Sequence, residues 1–152
     1  MGIDIHKTSF TAQDYRAFQQ RLEENLDALA RLAQDPEFAR GHASLGAELE
    51  MYVVDDAGRP LHANQEILAD SGDPQLTLEL NRYNLEFNLS PYRFDQQPFA
   101  ATEREILQRM SGLREVAARH GGRIVPIGIL PTLRKSDFGS HSITDRRRYH
   151  AL

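Results

Sequence analysis

The chain contains no cysteine among its 152 residues, which excludes a disulfide framework, a thiolate nucleophile and a zinc ribbon. It has no apolar run approaching the roughly 18 residues that would span a bilayer, and its N-terminus lacks a basic region followed by an apolar one. A soluble, cytoplasmic protein is the expectation. Excess charge of one sign is also missing: a net charge of -4 argues against a general nucleic-acid binder. The histidines, His6, His42, His62, His120, His141 and His150, show no metal-ligand spacing. What remains is globular in character, with 40% apolar and 26% charged residues. A chain of this length can form one domain that buries about two-thirds of its unfolded surface.

Two runs carry the chemistry. In Gly46 to Val54, GAELEMYVV, Glu48 and Glu50 point one way while Leu45, Ala47, Leu49, Met51 and Val53 point the other. In Asn84 to Leu89, NLEFNL, Asn84, Glu86 and Asn88 share a face backed by Leu85, Phe87 and Leu89. A period of two predicts strands with one face on an apolar core. If the two strands share a sheet and their polar faces coincide, Glu48, Glu50 and Glu86 converge as a site for a hard divalent cation such as magnesium. Carboxylates at i and i+2 lie roughly 6.5 to 7 Å apart at Cα. At that separation repulsion is about 0.6 kcal/mol in water and about 2.5 kcal/mol at an effective dielectric near 20. Exposed, the pair is a solvated sheet face; walled in, it calls for a cation or a shifted pKa. The asparagines beside Glu86 favour a binding face, because Asn is depleted in strands.

Along the chain, residues 1–10 read as a flexible arm and 11–152 as a single α+β domain. Thr11 caps a helix, with Asp14 in its first turn and Tyr15, Phe18, Leu22, Leu26, Leu29 and Ala33 on one stripe, ending before Asp35 and Pro36. The stripe predicts packing on the chain's own sheet, with a coiled-coil or partner-binding helix as the alternative. Asp55 to Gly58 predicts a hairpin turn, Pro60 and Leu61 a short return strand, and Asn64 to Ala69 one helical turn. Leu76, Leu78 and Leu80 predict a third strand running into Asn81 and Arg82. Glu79 is then a fourth carboxylate of interest, its register with Glu86 depending on whether a bend intervenes. A second long helix reaches about His120, with Phe99, Glu103, Ile106, Met110, Leu113 and Ala117 on one face and Gly121 and Gly122 as its stop. Arg123 to Leu130 predicts another strand, with Pro126 marking an edge or bulge. Thr144 reads as the N-cap of a helix that the sequence enters for roughly two turns, too short to stand alone, so the chain reads as the N-terminal fragment of something larger.

Arg134 and Lys135, on a loop after a strand, are candidates to meet a phosphate or a substrate carboxylate; a solvated loop is the plainer reading. Arg146, Arg147 and Arg148 could bind an anion, but they point in successive helical directions. His141 near Asp137 and Ser140 suggests hydrolase chemistry only by sequence proximity, which is not triad geometry.

GAELEMYVV, NLEFN, a long helix, GILPTLRKSDF and then TDRRRYHAL occur in that order, and together they resemble the N-terminal part of the glutamate-cysteine ligase family, including its carboxylate-amine ligase relatives. The resemblance covers roughly residues 44–152. It implies an α+β, glutamine-synthetase-like fold, here partial: an antiparallel sheet with two long helices packed on one face. It implies ATP and Mg2+ as cofactors and places Glu48, Glu50 and Glu86 at the metal positions; with ATP as cofactor, Arg134 on its loop is the candidate for the phosphate contact. It also implies glutamate and an amine such as cysteine as substrates, hence glutathione biosynthesis. Where some relatives carry a histidine beside a proline, this chain has Pro131 and Thr132. The expected activity is ATP-dependent carboxylate-amine ligation through an acyl phosphate, with the fragment inactive alone. The alternative is a non-catalytic assembly or regulatory module. No membrane or nucleic-acid partner is expected, and exposed sheet edges would favour a homo-oligomer.

Overall fold

Alternating side chains in two runs form the centre of a four-stranded antiparallel sheet. A computed structural model of the chain describes residues 7–151. The chain divides into two compact units, one of residues 44–145 and the other of the flanking segments up to Ala43 and from Arg146.

The central unit begins with a two-residue strand, β1 (Ser44–Leu45), and continues with β2 (Glu48–Val54), α2 (Asn64–Ser71), β3 (Leu76–Leu78), β4 (Asn84–Asn88), β5 (Tyr92–Arg93), α3 (Pro98–Arg119) and β6 (Arg123–Val125). The main sheet has the order β3-β4-β2-β6, and β1 pairs with β5 in a separate two-stranded ribbon. Met51, Val53, Leu76, Leu78, Leu85, Phe87 and Ile124 line one side of the sheet and pack with Ile67 of α2 and Met110, Leu113, Val116 and Ala117 of α3 in one core. The opposite side carries the polar half of each strand.

Local chemistry accounts for the connections. Asp55 Oδ1 accepts from the amides of Ala57 (2.9 Å) and Arg59 (2.8 Å), folding the predicted turn after β2. Gly58 takes φ +73°, which glycine adopts without a Cβ penalty. The return strand is reduced to a single bridge, Val54 to Pro60. At the end of α3, Gly122 donates to the Ala117 carbonyl at 2.8 Å, closing the predicted stop. A Cβ on Gly122 would lie 3.1 Å from Val53 and 3.2 Å from Leu61, so glycine also lets the helix end settle against β2.

Several expectations are corrected. β3 stops at Leu78, and a bend carries the chain through residues 79–83. β6 ends at Val125 rather than near Leu130, because Pro126 has no N–H to extend the ladder, and Ile129 is left 79% exposed. The expected face of α3 is buried at Met110, Leu113 and Ala117, but the first turns differ: Phe99 is 70% exposed and Glu103 is exposed, whereas Ala101, Thr102 and Glu105 are buried. Thr144 does not cap a helix. The short α4 (Arg147–His150) has Arg146 at its N-cap, and the Thr144 hydroxyl is used elsewhere.

The flanking unit holds α1 (Ala12–Ala33). Its start is the capping box expected at Thr11: Asp14 N donates to Thr11 Oγ1 at 3.3 Å and Thr11 N to Asp14 Oδ2 at 2.9 Å. In the central unit the long helix α3 buries a face on the sheet, as expected of it. No residue of α1 is buried, and Tyr15, Phe18, Leu22, Leu26 and Leu29 of its stripe are exposed. Its order rests on local bonds, including Gln19 to Glu23 (3.0 Å) and Gln20 to Glu24 (3.1 Å). Replacing Thr11 with alanine will therefore cost α1 about 1 kcal/mol, visible as faster hydrogen exchange in its first turn. Lys7 and the Thr11 amide and hydroxyl hold Asp14 at a pKa of about 2, below the usual 3.8. A lowered carboxyl pKa stabilises above its ordinary value, so the box weakens as pH falls from about 4 through about 2.

Candidate functional site

The polar faces of the two central strands coincide. β2 and β4 pair antiparallel in a register that sets Glu48 opposite Asn88, Glu50 opposite Glu86 and Tyr52 opposite Asn84. β3 adds Thr77 opposite Glu86 on the far side. The carboxylates expected to converge, Glu48, Glu50 and Glu86, thus share one face, with the last two in direct cross-strand contact positions. Residues facing each other in this way have Cβ atoms about 4.5–5.5 Å apart.

Exposure decides how each group behaves. Glu48 and Glu50 are exposed, so the water-like repulsion applies to them. Glu86 is half-buried, and its carboxyl pKa is raised above the ordinary value. Burial is the main cause; a hydrogen bond to Glu79 and the charge of Glu79 add to it, while Thr77 opposes it. The bend after β3 answers the question of register left by the sequence, bringing Glu79 to the side chain of Glu86. Glu79 Oε2 also accepts from the Leu80 amide at 3.2 Å. Beside the pair, Asn88 Nδ2 donates to Thr77 Oγ1 at 3.1 Å, and Asn84 Nδ2 donates to the Met51 carbonyl at 3.3 Å. The strand asparagines therefore brace the face with amide bonds.

Towards the end of β2 the face becomes aromatic. Tyr52 stacks on Tyr83 at 6.1 Å between ring centroids, and Tyr83 stacks on His62 at 5.6 Å. His141 follows at 6.0 Å from His62. Burial and the neighbouring Arg82 lower the His62 pKa, because both disfavour the charged imidazole. His141 therefore meets an aromatic neighbour in His62, while the hydrolase triad suggested by proximity has no bond among its members in the structure.

Arg134 stands on the loop after β6. Its amide donates to Asp137 Oδ2 at 2.6 Å, and Asp137 is held by both of its oxygens on Arg59 Nη2, at 3.1 and 3.0 Å. Arg59 Nη1 also donates to the Thr132 carbonyl, and the Thr132 hydroxyl to the Gly58 carbonyl, so the loop is fastened to the β2 turn. The Arg134 side chain is exposed. Arg146 and Arg147 belong to the other unit.

All donors on the acidic face are hard oxygens, which suits magnesium. Among the described residues no three His, Cys, Asp or Glu side chains are close enough to hold a metal ion by themselves. Magnesium does not require such a cage: it keeps several waters and takes one or two carboxylates together with substrate phosphates. The Glu50–Glu86 pair fits that mode by its register; the Glu86 pKa is raised first by burial and then by Glu79. A separate cleft of about 800 Å³ lies on the helix side of the sheet, bordered by Asp73, Phe87, Arg104, Glu105 and Arg109. It is on the opposite side from the carboxylates.

Sequence reasoning did not find the network behind the bend, where Asn64 and Thr144 meet; Thr144 carried a capping signal that pointed elsewhere. Nor did it find Glu105, a buried charged residue next to Ile106 of the expected stripe.

An antiparallel sheet covered by helices on its apolar side, with carboxylates paired across its open side, defines an α+β chain with an acidic sheet face. The sequence profile described as glutamate-cysteine ligase family 2 matches residues 44–152, and the chain belongs to that family. A curated protein named glutamate-cysteine ligase, from Haloquadratum walsbyi, is 31% identical over 94 residues. That alignment covers 59% of this chain and 25% of the relative, so the chain spans about a quarter of the length of the curated protein it matches. No solved structure matches. No described helix is long and apolar enough to cross a membrane.

Proposed function

We propose that this chain supplies the acidic sheet face of an ATP-dependent carboxylate-amine ligase acting on glutamate and an amine such as cysteine, in the manner of the relative's printed name. The observation that carries the reading is the register of β2 and β4, which sets Glu50 opposite Glu86 with Glu48 on the same face. In this reading Glu50 and Glu86 hold Mg2+ together with the nucleotide phosphates, Glu48 lends its charge from the same face, and Arg134, exposed on a loop fastened through Asp137 and Arg59, meets the nucleotide phosphate. Bound magnesium supplies charge neutralisation and Lewis acidity toward the phosphates. The γ-phosphoryl group of ATP passes to the substrate carboxylate, giving an acyl phosphate and ADP; the amine then attacks the acyl carbon and releases phosphate. A protein nucleophile is not needed, in keeping with a chain that has no cysteine.

The test is ADP release by the full-length protein with ATP, glutamate and candidate amines, with hydroxylamine added to trap the acyl phosphate as a hydroxamate. Hydroxamate that requires both ATP and the carboxylate substrate supports the reading. A folded full-length protein that forms neither hydroxamate nor ADP favours the non-catalytic module.

A further inference from the structure

The bend between β3 and β4 is tied from behind by two buried side chains remote in sequence. Asn64, 1% exposed, opens α2, and Thr144, with no exposed surface, comes from the loop after β6. Asn64 Nδ2 donates to the carbonyls of Asn81 and Asn84, each at 3.1 Å, and to Thr144 Oγ1 at 2.9 Å. Thr144 Oγ1 in turn donates to the Glu79 carbonyl at 2.6 Å, and the Thr144 amide donates to the Leu80 carbonyl at 2.8 Å. The Asn64 amide donates to the Arg82 carbonyl at 3.1 Å, and the Arg82 amide to the Ser142 carbonyl at 2.7 Å.

The hairpin does not need these bonds in order to exist. β3 and β4 already pair from Leu76 to Leu78, and the Asn84 amide closes the turn on the Asn81 carbonyl at 2.9 Å. What the remote bonds add is a fixed path for the main chain where Glu79 leaves β3, one residue beyond the ladder. The Thr144 hydroxyl accepts from Asn64 and donates to Glu79, so its orientation is set at both ends. We propose that Asn64 and Thr144 are positioning residues, holding Glu79 against Glu86 and so setting the spacing of oxygen donors on the acidic face. The inference rests on the reading of that face as a site for a hard cation. Supports of this kind fix donors that sit on the edge of regular structure, and losing one typically lowers metal affinity about 10- to 100-fold.

Thr144→Val removes the hydroxyl and keeps the shape, and Thr144→Ser restores the hydroxyl without the methyl. Each is compared with the full parent chain by carboxyl and amide NMR shifts of Glu79 and Glu86, by magnesium titration, and by thermal unfolding. The expected result is displaced Glu79 and Glu86 resonances and magnesium affinity reduced about tenfold or more in the valine variant, both restored by serine. Should the valine variant lose cooperative unfolding, Thr144→Ala carries the same comparison. Glu79 and Glu86 resonances that stay in place overturn the inference, whatever magnesium does. If those resonances move but the parent binds no magnesium, the positioning role stands and the reading of the face as a cation site fails.

Discussion

Glu105→Ala is expected to cost the fold about 3–5 kcal/mol, the range for removing one partner of a buried charged network. The Glu105 carboxylate sits in α3 at 9% exposure and accepts four hydrogen bonds: from the Ser90 amide (3.0 Å), the Ser90 hydroxyl (2.9 Å), the Tyr92 hydroxyl (3.2 Å) and Arg109 Nε (3.0 Å). Arg109 reaches on to both oxygens of Asp73 at 2.6 Å, just before β3. One carboxylate thus joins α3 to the chain leaving β4 and, through Arg109, to the chain entering β3. Burial pushes its pKa up, but the bonds from Ser90, Arg109 and Tyr92 outweigh burial and leave it below the ordinary 4.5. A lowered carboxyl pKa stabilises above its ordinary value, so this contribution is complete above about pH 4.5 and is lost as pH falls through the lowered value. Glu105→Gln keeps an acceptor but turns an amide donor toward other donors, so about 1–3 kcal/mol is expected. Urea unfolding followed by circular dichroism measures both, and a loss under about 1 kcal/mol for the alanine variant would show that Arg109 and Asp73 hold the helix without it.

Glu86→Gln should behave in the opposite way. Burial and Glu79 raise the Glu86 pKa, so ionising it works against the fold. The folded state then binds more protons than the unfolded chain, and stability falls as pH rises from the ordinary 4.5 through the raised value. Glutamine has no such transition, and its amide can donate to Glu79. At neutral pH without magnesium the variant is expected to melt above the parent. Adding magnesium should raise the melting temperature of the parent alone, because a ligand stabilises only a fold that binds it. In the Glu50→Gln, Glu86→Gln double variant, magnesium affinity should fall by more than about 100-fold, beyond the usual cost of losing an outer support of a metal. A gain in stability joined to a loss of binding is what a face strained for function gives; parallel losses of both would mark Glu86 as a structural residue.

Side-chain periodicity made the centre of this fold legible. The alternation in GAELEMYVV and NLEFNL gave both strands and their buried faces, because a period of two leaves little freedom once one face must be buried; that the two strands are neighbours, which sets Glu48, Glu50 and Glu86 on one face, came from the pairing in the fold. Thr11 with Asp14, Asp55 with Gly58, and Gly122 were legible as caps and turns because their chemistry is local. The packing of α1 was not. An apolar stripe says that a face prefers cover and does not say which surface supplies it. On α3, Met110, Leu113 and Ala117 were legible as core, but Glu105 was not, because it reads as a surface residue until Ser90, Tyr92 and Arg109 are known to surround it. Thr144 misled for a related reason: threonine before aspartate signals a cap, but its partners here, Asn64 and Glu79, lie more than sixty residues earlier. Contacts at that separation leave no periodic trace in one sequence.

The account turns on whether the acidic face holds a cation. Calorimetric titration of magnesium, alone and with a non-hydrolysable ATP analogue, into the full chain and into the Glu50→Gln, Glu86→Gln double variant tests this most directly. The expected result is saturable binding to the parent, tighter with the analogue present, and its loss in a variant that still unfolds cooperatively. Equal binding by parent and variant, or none by a cooperatively folded parent with the analogue present, would contradict it.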